Sequence, residues 1–311
     1  MSSPEADDAP AVILVVDDNA ASRYIVGSWL SRSGHTVIEA VDGAQGLAAF
    51  APGGGARSAD GTGTDTRPPE LAIVDVRLPD MSGFEVCERI KARPGTAGVP
   101  VIHISAVAVA TADRAQGLSR GADAYLSEPI APTELLATVT AALRYARARR
   151  RAEQLAERLS ALNQATVEVY GAPEEESLAE ATARGAARLM NCEATVLIEP
   201  VEAGPIRVTA AGPDGATRSR LVPPGLLQDL SRHILGERVG AEIARLPPEL
   251  WAEYLAASAL EGDVILVLAR AKADRPAVGI AVDATAAASA QDHQLAAQLA
   301  HACALVLESL R

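Results

Sequence analysis

The sequence predicts an α/β protein: a doubly wound (βα)5 parallel sheet, then a helical connector, then a smaller α+β domain. Three observations carry this. The chain has 311 residues, and about 150 residues per domain gives two domains. In the first half, short apolar runs alternate with helical stretches, the pattern of an open parallel sheet. From 133 to 169 there is no Pro or Gly, and beyond that the strands come in pairs.

Composition narrows the class. The chain is 49% hydrophobic and 22% charged, which excludes a wholly disordered or fibrous protein. Aromatics make up only 3%, so Ala, Val, Leu and Ile must fill the cores. That also leaves few stacking platforms for single-stranded nucleic acid. The net charge is −12. The only basic cluster is Arg144, Arg147, Arg149, Arg150, Arg151 and Arg158, in the middle of the chain. Neither end has the basic footprint of a DNA binder. Cys87, Cys192 and Cys303 are widely spaced and odd in number, so no disulfide framework or zinc motif is expected. Reduced thiols in a cytoplasmic protein are. Residues 1–10 are acidic and polar, a disordered N-terminus with no signal-peptide pattern. No apolar run reaches the roughly 18 residues of a membrane span.

The first domain spans 11–146. Residues 11–16, AVILVV, form a continuous apolar run, a strand buried on both faces. A helix follows over 20–33 and stops at Gly34. Residues 36–40 are a β-branched second strand and 43–50 a second helix. Residues 71–74 are a third apolar strand, ending at Asp75. Residues 82–92 are helical, with Ser82 as N-cap and Glu85 three residues on, a capping-box pattern. Residues 100–104 are a fourth strand before Ser105. Residues 111–120 are a helix closed by Gly121, and 124–126 a fifth strand before Glu128 and Pro129. The Gly/Pro/Thr/Asp-rich segment 51–70 has no periodicity and reads as a flexible loop insertion.

In open parallel sheets, ligand chemistry sits at the carboxyl ends of the strands. Here those ends carry Asp17, Asp18, Asp75 and Ser105. An isolated Asp after a strand is most simply a helix cap or a surface residue. Four such residues at successive strand ends form a site. Mg²⁺ takes one or two carboxylates, waters and phosphate oxygens. Asp18 and Asp75 can ligate it, with Asp17 acting through water. A carboxylate can also attack phosphorus and carry the phosphoryl group as an acyl phosphate. Ser105 would then donate a hydrogen bond to a phosphoryl oxygen.

The stretches VILVVDDNAASR, AIVDVRLPDMSGFEV, VIHISA and GADAYLSEPI resemble the CheY-like receiver domain of two-component response regulators. The resemblance covers 11–146. It implies Asp75 as phosphoacceptor, Asp17 and Asp18 as the acidic pair, and the backbone carbonyl of Arg77 as a further Mg²⁺ ligand. Ser105 falls at the family's hydroxyl position and Tyr125 at its aromatic switch position. There the ring swings inward as the hydroxyl moves toward phosphate. The Glu128–Pro129 bond matches one that is usually cis. One residue departs from the pattern: the family has Lys where this chain has Glu128. A carboxylate there repels a phosphoryl group, by about 1 kcal/mol in water. Two readings follow: a working receiver with altered output or lifetime, or a pseudo-receiver that keeps the fold for protein contacts.

The connector spans 147–169. Leu155, Leu159, Leu162, Thr166 and Val169 recur at spacings of four and three. This short heptad seam is open to two readings: packing on the second domain, or a dimerising helix that transmits receiver state. The arginine run is most simply a solvated helix face.

The second domain spans 170–311. A helix is expected over 174–190, strands over 194–199 and 206–210, helices over 226–235 and 249–257, strands over 263–269 and 277–282, and a closing helix over 291–310. This order resembles a GAF domain, best in AVGIAVDATAAASAQDHQLAAQLAHACALVLESL. The resemblance implies an antiparallel sheet used for small-ligand sensing or dimerisation. The cyclic-nucleotide motif of some members is absent, as is a cysteine in a chromophore-attachment setting. The five histidines show no metal spacing and no kinase phosphorylation box, and His103 is expected to be packed or hydrogen-bonded within its strand.

The expected function is therefore a non-enzymatic response regulator, a cytoplasmic homodimer phosphorylated on Asp75 with Mg²⁺ by a histidine kinase. It would signal to a downstream protein through its GAF-like part, without direct DNA binding. The alternative is a phosphorylation-independent scaffold or small-ligand sensor.

Overall fold

The computed structural model describes residues 9–51, 67–105, 121–199, 204–223, 226–251, 260, 262–272, 277–285 and 289–310. They fall into two compact units, Met1–Glu153 and Gln154–Arg311. The readings of 1–8 as disordered, of 52–66 as loop, of 111–120 as helix and of 252–257 as helix lie outside the described residues.

In the first unit the strands are β1 (Val12–Val16), β2 (Thr36–Ala40), β3 (Leu71–Asp75), β4 (Val101–Ser105) and β5 (Ala124–Ser127). They pair in parallel throughout, in the order β2-β1-β3-β4-β5. Helices α1 (Ala20–Arg32), α2 (Gly43–Ala48), α3 (Gly83–Lys91) and α4 (Pro132–Tyr170) cover both faces. The apolar run of β1 explains why. Ile13 and Val15 pack with Val26 and Leu30 of α1 and with Leu135, Val139 and Leu143 of α4. Val12, Leu14 and Val16 pack on the opposite face with Val86, Cys87 and Ile90 of α3. Because successive side chains alternate faces, a strand covered on both sides must be apolar at every position. Strand order reverses between β1 and β3, and such a point opens a crevice at the strands' carboxyl ends.

Caps set where the helices begin. Asn19 accepts from the backbone N–H groups of Ala21 and Ser22, at 2.9 and 3.2 Å, and starts α1. Ser82 accepts from the N–H of Phe84 at 3.2 Å and starts α3. The expected capping box is only half formed. The Glu85 carboxylate pairs with Arg89 at 2.6 Å instead of turning back to Ser82, since an i,i+4 ion pair competes for it.

Helix α4 has 39 residues and opens with proline, which suits a first helical turn. Residues 151–157 are exposed on every face. The seam residues divide. Leu155 and Leu159 are 48% and 51% exposed, whereas Val169 is buried and Leu162 lies against the core of the second unit. The C-terminal end of the seam therefore serves intramolecular packing. Within the arginine cluster, Arg147 pairs with Glu70 at 3.2 Å and Arg158 with Asp292 at 3.3 Å, so these two are not a purely solvated face.

The second unit continues with α5 (Glu175–Met190), β6 (Ala194–Ile198), β7 (Ile206–Ala211), β8 (Thr217–Val222), α6 (Leu226–Ile234), β9 (Gly240–Leu246), α7 (Pro248–Trp251), β10 (Val264–Arg270), β11 (Val278–Asp283) and α8 (Ala290–Ser309). Six strands pair antiparallel in the order β8-β7-β6-β11-β10-β9. One face packs on α5, α8 and the end of α4, the other on Leu227, Leu235 and Trp251. The sequence reading lacked β8 and β9. Both are edge strands, TRSRLV and GAEIARL, paired on one side only. Their charged side chains blunt the open edges and hide the apolar signal that marks a strand.

Candidate functional site

The site is built at the strand-order reversal. Asp17 directly follows β1, and its N–H donates to Ala40 O at 3.1 Å, extending the ladder to β2 by one residue. Its carboxylate accepts from the N–H of Asn19 at 2.7 Å. Arg23, one turn into α1, donates to the Asp17 carbonyl at 2.7 Å and pairs with Glu39 at 3.1 Å. The chain is thus held on both sides of the acidic pair.

Asp75 is the last residue of β3. Its carboxylate accepts from the N–H of Arg77 at 3.1 Å. Gly83 N–H donates to Val76 O at 2.9 Å, and Arg77 and Ser82 form an isolated antiparallel bridge. The loop between them is anchored by Asp80, whose two carboxylate oxygens accept from the N–H groups of Gly43 and Ala44 at 2.9 Å each. Those hydrogen bonds at the start of α2 hold the Asp80 carboxyl below its usual range. Sequence reasoning missed Arg23, Asp80 and Gly83. Their partners lie on other segments, and none of the three carries a local pattern.

Carboxylate oxygens of Asp17, Asp18 and Asp75 lie within 4.8 Å of one another. Asp17 is buried, Asp75 half-buried and Asp18 exposed. Burial pushes the Asp17 and Asp75 carboxyls above their usual range, and charge repulsion within the cluster adds to it. For Asp75, Asp18 and Glu128 both contribute to that repulsion. Hard oxygen donors that burden one another with negative charge fit a divalent cation such as Mg²⁺.

Ser105 ends β4 and is buried. Its carbonyl accepts from the N–H of Glu128 at 2.9 Å, which ties the end of β5 to the site. The Glu128–Pro129 bond is cis. Glu128 is exposed and lines a cavity of about 420 Å³ with Ile25, Val26 and Trp29 of α1. Tyr125 lies on β5 and is 6% exposed, an inward position. It is the register partner of the buried His103.

Residues 13–140 match the family model described as the response regulator receiver domain. The N-terminal part of this chain is a response regulator receiver domain. Over 132 residues the chain is 35% identical to the DNA-binding dual master transcriptional regulator RpaA of Synechocystis, a match covering 42% of this chain and 48% of that one. It is 37% identical over 134 residues to the transcriptional regulatory protein GltR of Pseudomonas aeruginosa, covering 43% and 49%. The chain spans about half the length of the curated relatives it matches. Among solved structures, the chemotaxis response regulator CheY4 of Vibrio cholerae matches at 25% identity with a TM-score of 0.36, covering 43% of this chain and 99% of that one. A beryllofluoride-activated DrrB receiver domain matches at 29% identity with a TM-score of 0.34, covering 43% and 98%. The receiver domain brings Asp17, Asp18 and Asp75 to one point, with Ser105 and Glu128 on the neighbouring strand ends. Among the described residues no helix is long and apolar enough to cross a membrane.

Proposed function

We propose that the receiver domain accepts a phosphoryl group on Asp75 from the phosphohistidine of a partner histidine kinase. The observation that carries this is the convergence of three carboxylates at the β1/β3 reversal, with Asp75 as the last residue of β3. An Asp75 oxygen attacks phosphorus, the P–N bond of the donor breaks, and an acyl phosphate forms. Asp17, Asp18, Asp75 and the Arg77 carbonyl would hold Mg²⁺, which when bound neutralises charge on the phosphoryl oxygens. The Ser105 hydroxyl hydrogen-bonds a phosphoryl oxygen, and Tyr125, on the next strand, is the aromatic side chain that a partner reads beside it.

The phosphorylated state is passed on by protein contacts, not by turnover of a substrate and not by direct DNA binding. The regulators matched by sequence include a DNA-binding one, but those matches cover only 42–43% of this chain. The antiparallel sheet of the second unit, with helices on both faces, supports its reading as a GAF-like sensor or output domain. The exposed Leu155 and Leu159 support a homodimer through the connector. The protein acts in the cytoplasm.

Glu128 favours a second reading, a pseudo-receiver that works as a scaffold or ligand sensor. Its charge adds to the repulsion that Asp75 already feels. Intact-protein mass spectrometry after incubation with acetyl phosphate and Mg²⁺ separates the two readings. One phosphoryl adduct, lost in Asp75→Asn, is expected. No adduct with acetyl phosphate or with any histidine kinase tried would favour the pseudo-receiver.

A further inference from the structure

His103 occupies the middle of β4 and is fully buried. Its Nδ1 lies 3.3 Å from the Val74 carbonyl oxygen. A carbonyl only accepts, so this nitrogen carries the proton and donates. Nε2 is then the bare acceptor nitrogen, and among the described residues it has no hydrogen-bond partner. Burial pushes the imidazole down to about 4, so the ring is neutral at physiological pH.

Two aromatic rings flank it. Phe84, in the first turn of α3, meets it edge-on with centroids 5.0 Å apart. Tyr125 on β5 lies at 6.5 Å with the rings tilted by 58°. His103 and Tyr125 are paired across adjacent parallel strands, so both side chains leave the sheet on the same face. The His103 tether, Val74, is the residue before Asp75, and Phe84 follows the Gly83 that abuts the Asp75 carbonyl. Leu or Met would fill this space without burying a ring nitrogen that has no partner among the described residues, a costly thing to bury. Neither would be tied to β3 while presenting a flat ring to Tyr125 and Phe84.

We propose that His103 is a positioning residue for Tyr125: hydrogen-bonded to the strand that carries Asp75, it holds the Tyr125 ring inward in the unphosphorylated chain. The inference starts from the family's aromatic position at Tyr125, on which the proposed function rests, and departs from it in one respect: the inward position of the ring does not await the phosphoryl group. Core packing then sets the face that Tyr125 shows to a partner. Phosphorylation acts through Ser105 and the loops, not by burying Tyr125.

The test uses the full chain with 3-fluorotyrosine at its five tyrosines and the Tyr125 resonance assigned by Tyr125→Phe. Broadening of the ¹⁹F signals by a soluble gadolinium chelate reports exposure, without and with beryllofluoride and Mg²⁺. In the wild type the Tyr125 signal is expected to stay protected in both states, differing less than twofold. His103→Leu is expected to raise its broadening at least threefold in the state without beryllofluoride, while the exposed Tyr24 and Tyr145 keep theirs. Equal protection of Tyr125 in wild type and His103→Leu would overturn the proposal. So would a wild-type Tyr125 that becomes protected only with beryllofluoride, an arm that decides the matter even if His103→Leu does not fold. Failure of phosphoacceptance is read separately, as a missing mass adduct, and leaves the arm without beryllofluoride intact.

Discussion

Gly83 packs against the backbone of Asp75 so closely that a Cβ added to it would overlap the Asp75 carbonyl oxygen and crowd Val76 Cα at 2.9 Å. The obstruction is backbone, with no flexible side chain to swing away. The N-terminus of α3 can lie beside the end of β3 only because position 83 has no side chain. Gly83→Ala must therefore push the helix off or displace Asp75. We expect a loss of about 1–3 kcal/mol, the usual range for overpacking a filled site, read as a lower urea midpoint. The yield of Asp75 adduct with acetyl phosphate should fall with it. A variant as stable and as reactive as the wild type would show that the crowding is relieved at no cost.

The Gly83 contact marks the limit of what the sequence displays. Residues 11–16 and 71–74 declare themselves as buried strands, because a strand covered on both faces must be apolar at each position. Asp17, Asp18 and Asp75 declare themselves by following those strands. Gly83, Asp80 and His103 do not. The need for glycine at 83 arises from a neighbour eight residues earlier, and Asp80 caps a helix 36 residues back through Ala44. His103 reads as an ordinary strand residue until Phe84 and Tyr125 are placed around it. The edge strands β8 and β9 were hidden for another reason: an edge is kept polar against aggregation, so its pattern resembles a loop.

Asp75→Asn removes one of three crowded carboxylates. A carboxyl held above its usual range in the fold destabilises the folded state while charged, and the penalty is relieved as pH falls through its folded value. At neutral pH and without divalent cations, Asp75→Asn should therefore be more stable than wild type, by on the order of 1 kcal/mol. Added Mg²⁺ should raise the wild-type melting temperature by binding the folded state and should move the variant less. Thermal melts with EDTA and with millimolar Mg²⁺ check both. An Asp75→Asn variant less stable than wild type in EDTA would refute the repulsion argument.

Glu128→Lys tests the atypical residue directly. The substitution removes one charge that repels Asp75 and installs an opposite one. Each change is worth about 1 kcal/mol for a pair near 4 Å in water. The Asp75 carboxyl should move down toward its usual range. The equilibrium yield of acyl phosphate should rise by about fivefold or more, since 1.4 kcal/mol is a factor of ten. Time-resolved mass spectrometry of the adduct in both proteins gives yield and lifetime together. An unchanged yield would mean that Glu128 lies outside the electrostatic reach of the phosphoryl group.

His103 gives the receiver core a pH dependence of defined sign. Its imidazole sits near 6.5 when unfolded and near 4 in the fold, through burial. Between those values the unfolded chain binds the proton and the folded chain does not, so stability falls as pH drops from 6.5 toward 4. Above 6.5 this contribution is complete, and below 4 it is spent, a difference of about 3 kcal/mol. Asp17 and Asp75 act in the opposite sense, because their raised carboxyls are relieved by acid. The comparison is therefore between wild type and His103→Leu over pH 4 to 7, by urea unfolding at each pH. The gap between the curves should shift steadily in favour of His103→Leu as pH falls. A constant gap would mean that His103 titrates alike in both states.

The second unit offers a packing test independent of the receiver chemistry. Gly185 lies in the middle of α5, where glycine weakens a helix by about 1 kcal/mol relative to alanine. Its place is explained by its neighbours. A Cβ there would lie 2.7 Å from Ala165 Cβ on α4 and 3.2 Å from Leu299 Cδ2 on α8. Three helices meet at this point, and the buried Ala165 and Val169 belong to the same core. Gly185→Ala gains helix propensity and loses close packing. Leu299 can turn, but Ala165 has no rotamer to change and must move with its helix. The overpacking cost, about 1–3 kcal/mol, should exceed the propensity gain, so the net effect expected is destabilisation. Gly185→Ala together with Ala165→Gly restores the space and should recover most of the loss once the helix penalty of the new glycine is counted. A double-mutant cycle in urea gives the coupling energy: a double variant less destabilised than the sum of the two single changes places the end of α4 firmly on α5, whereas additive effects would mean that the two helices adjust independently.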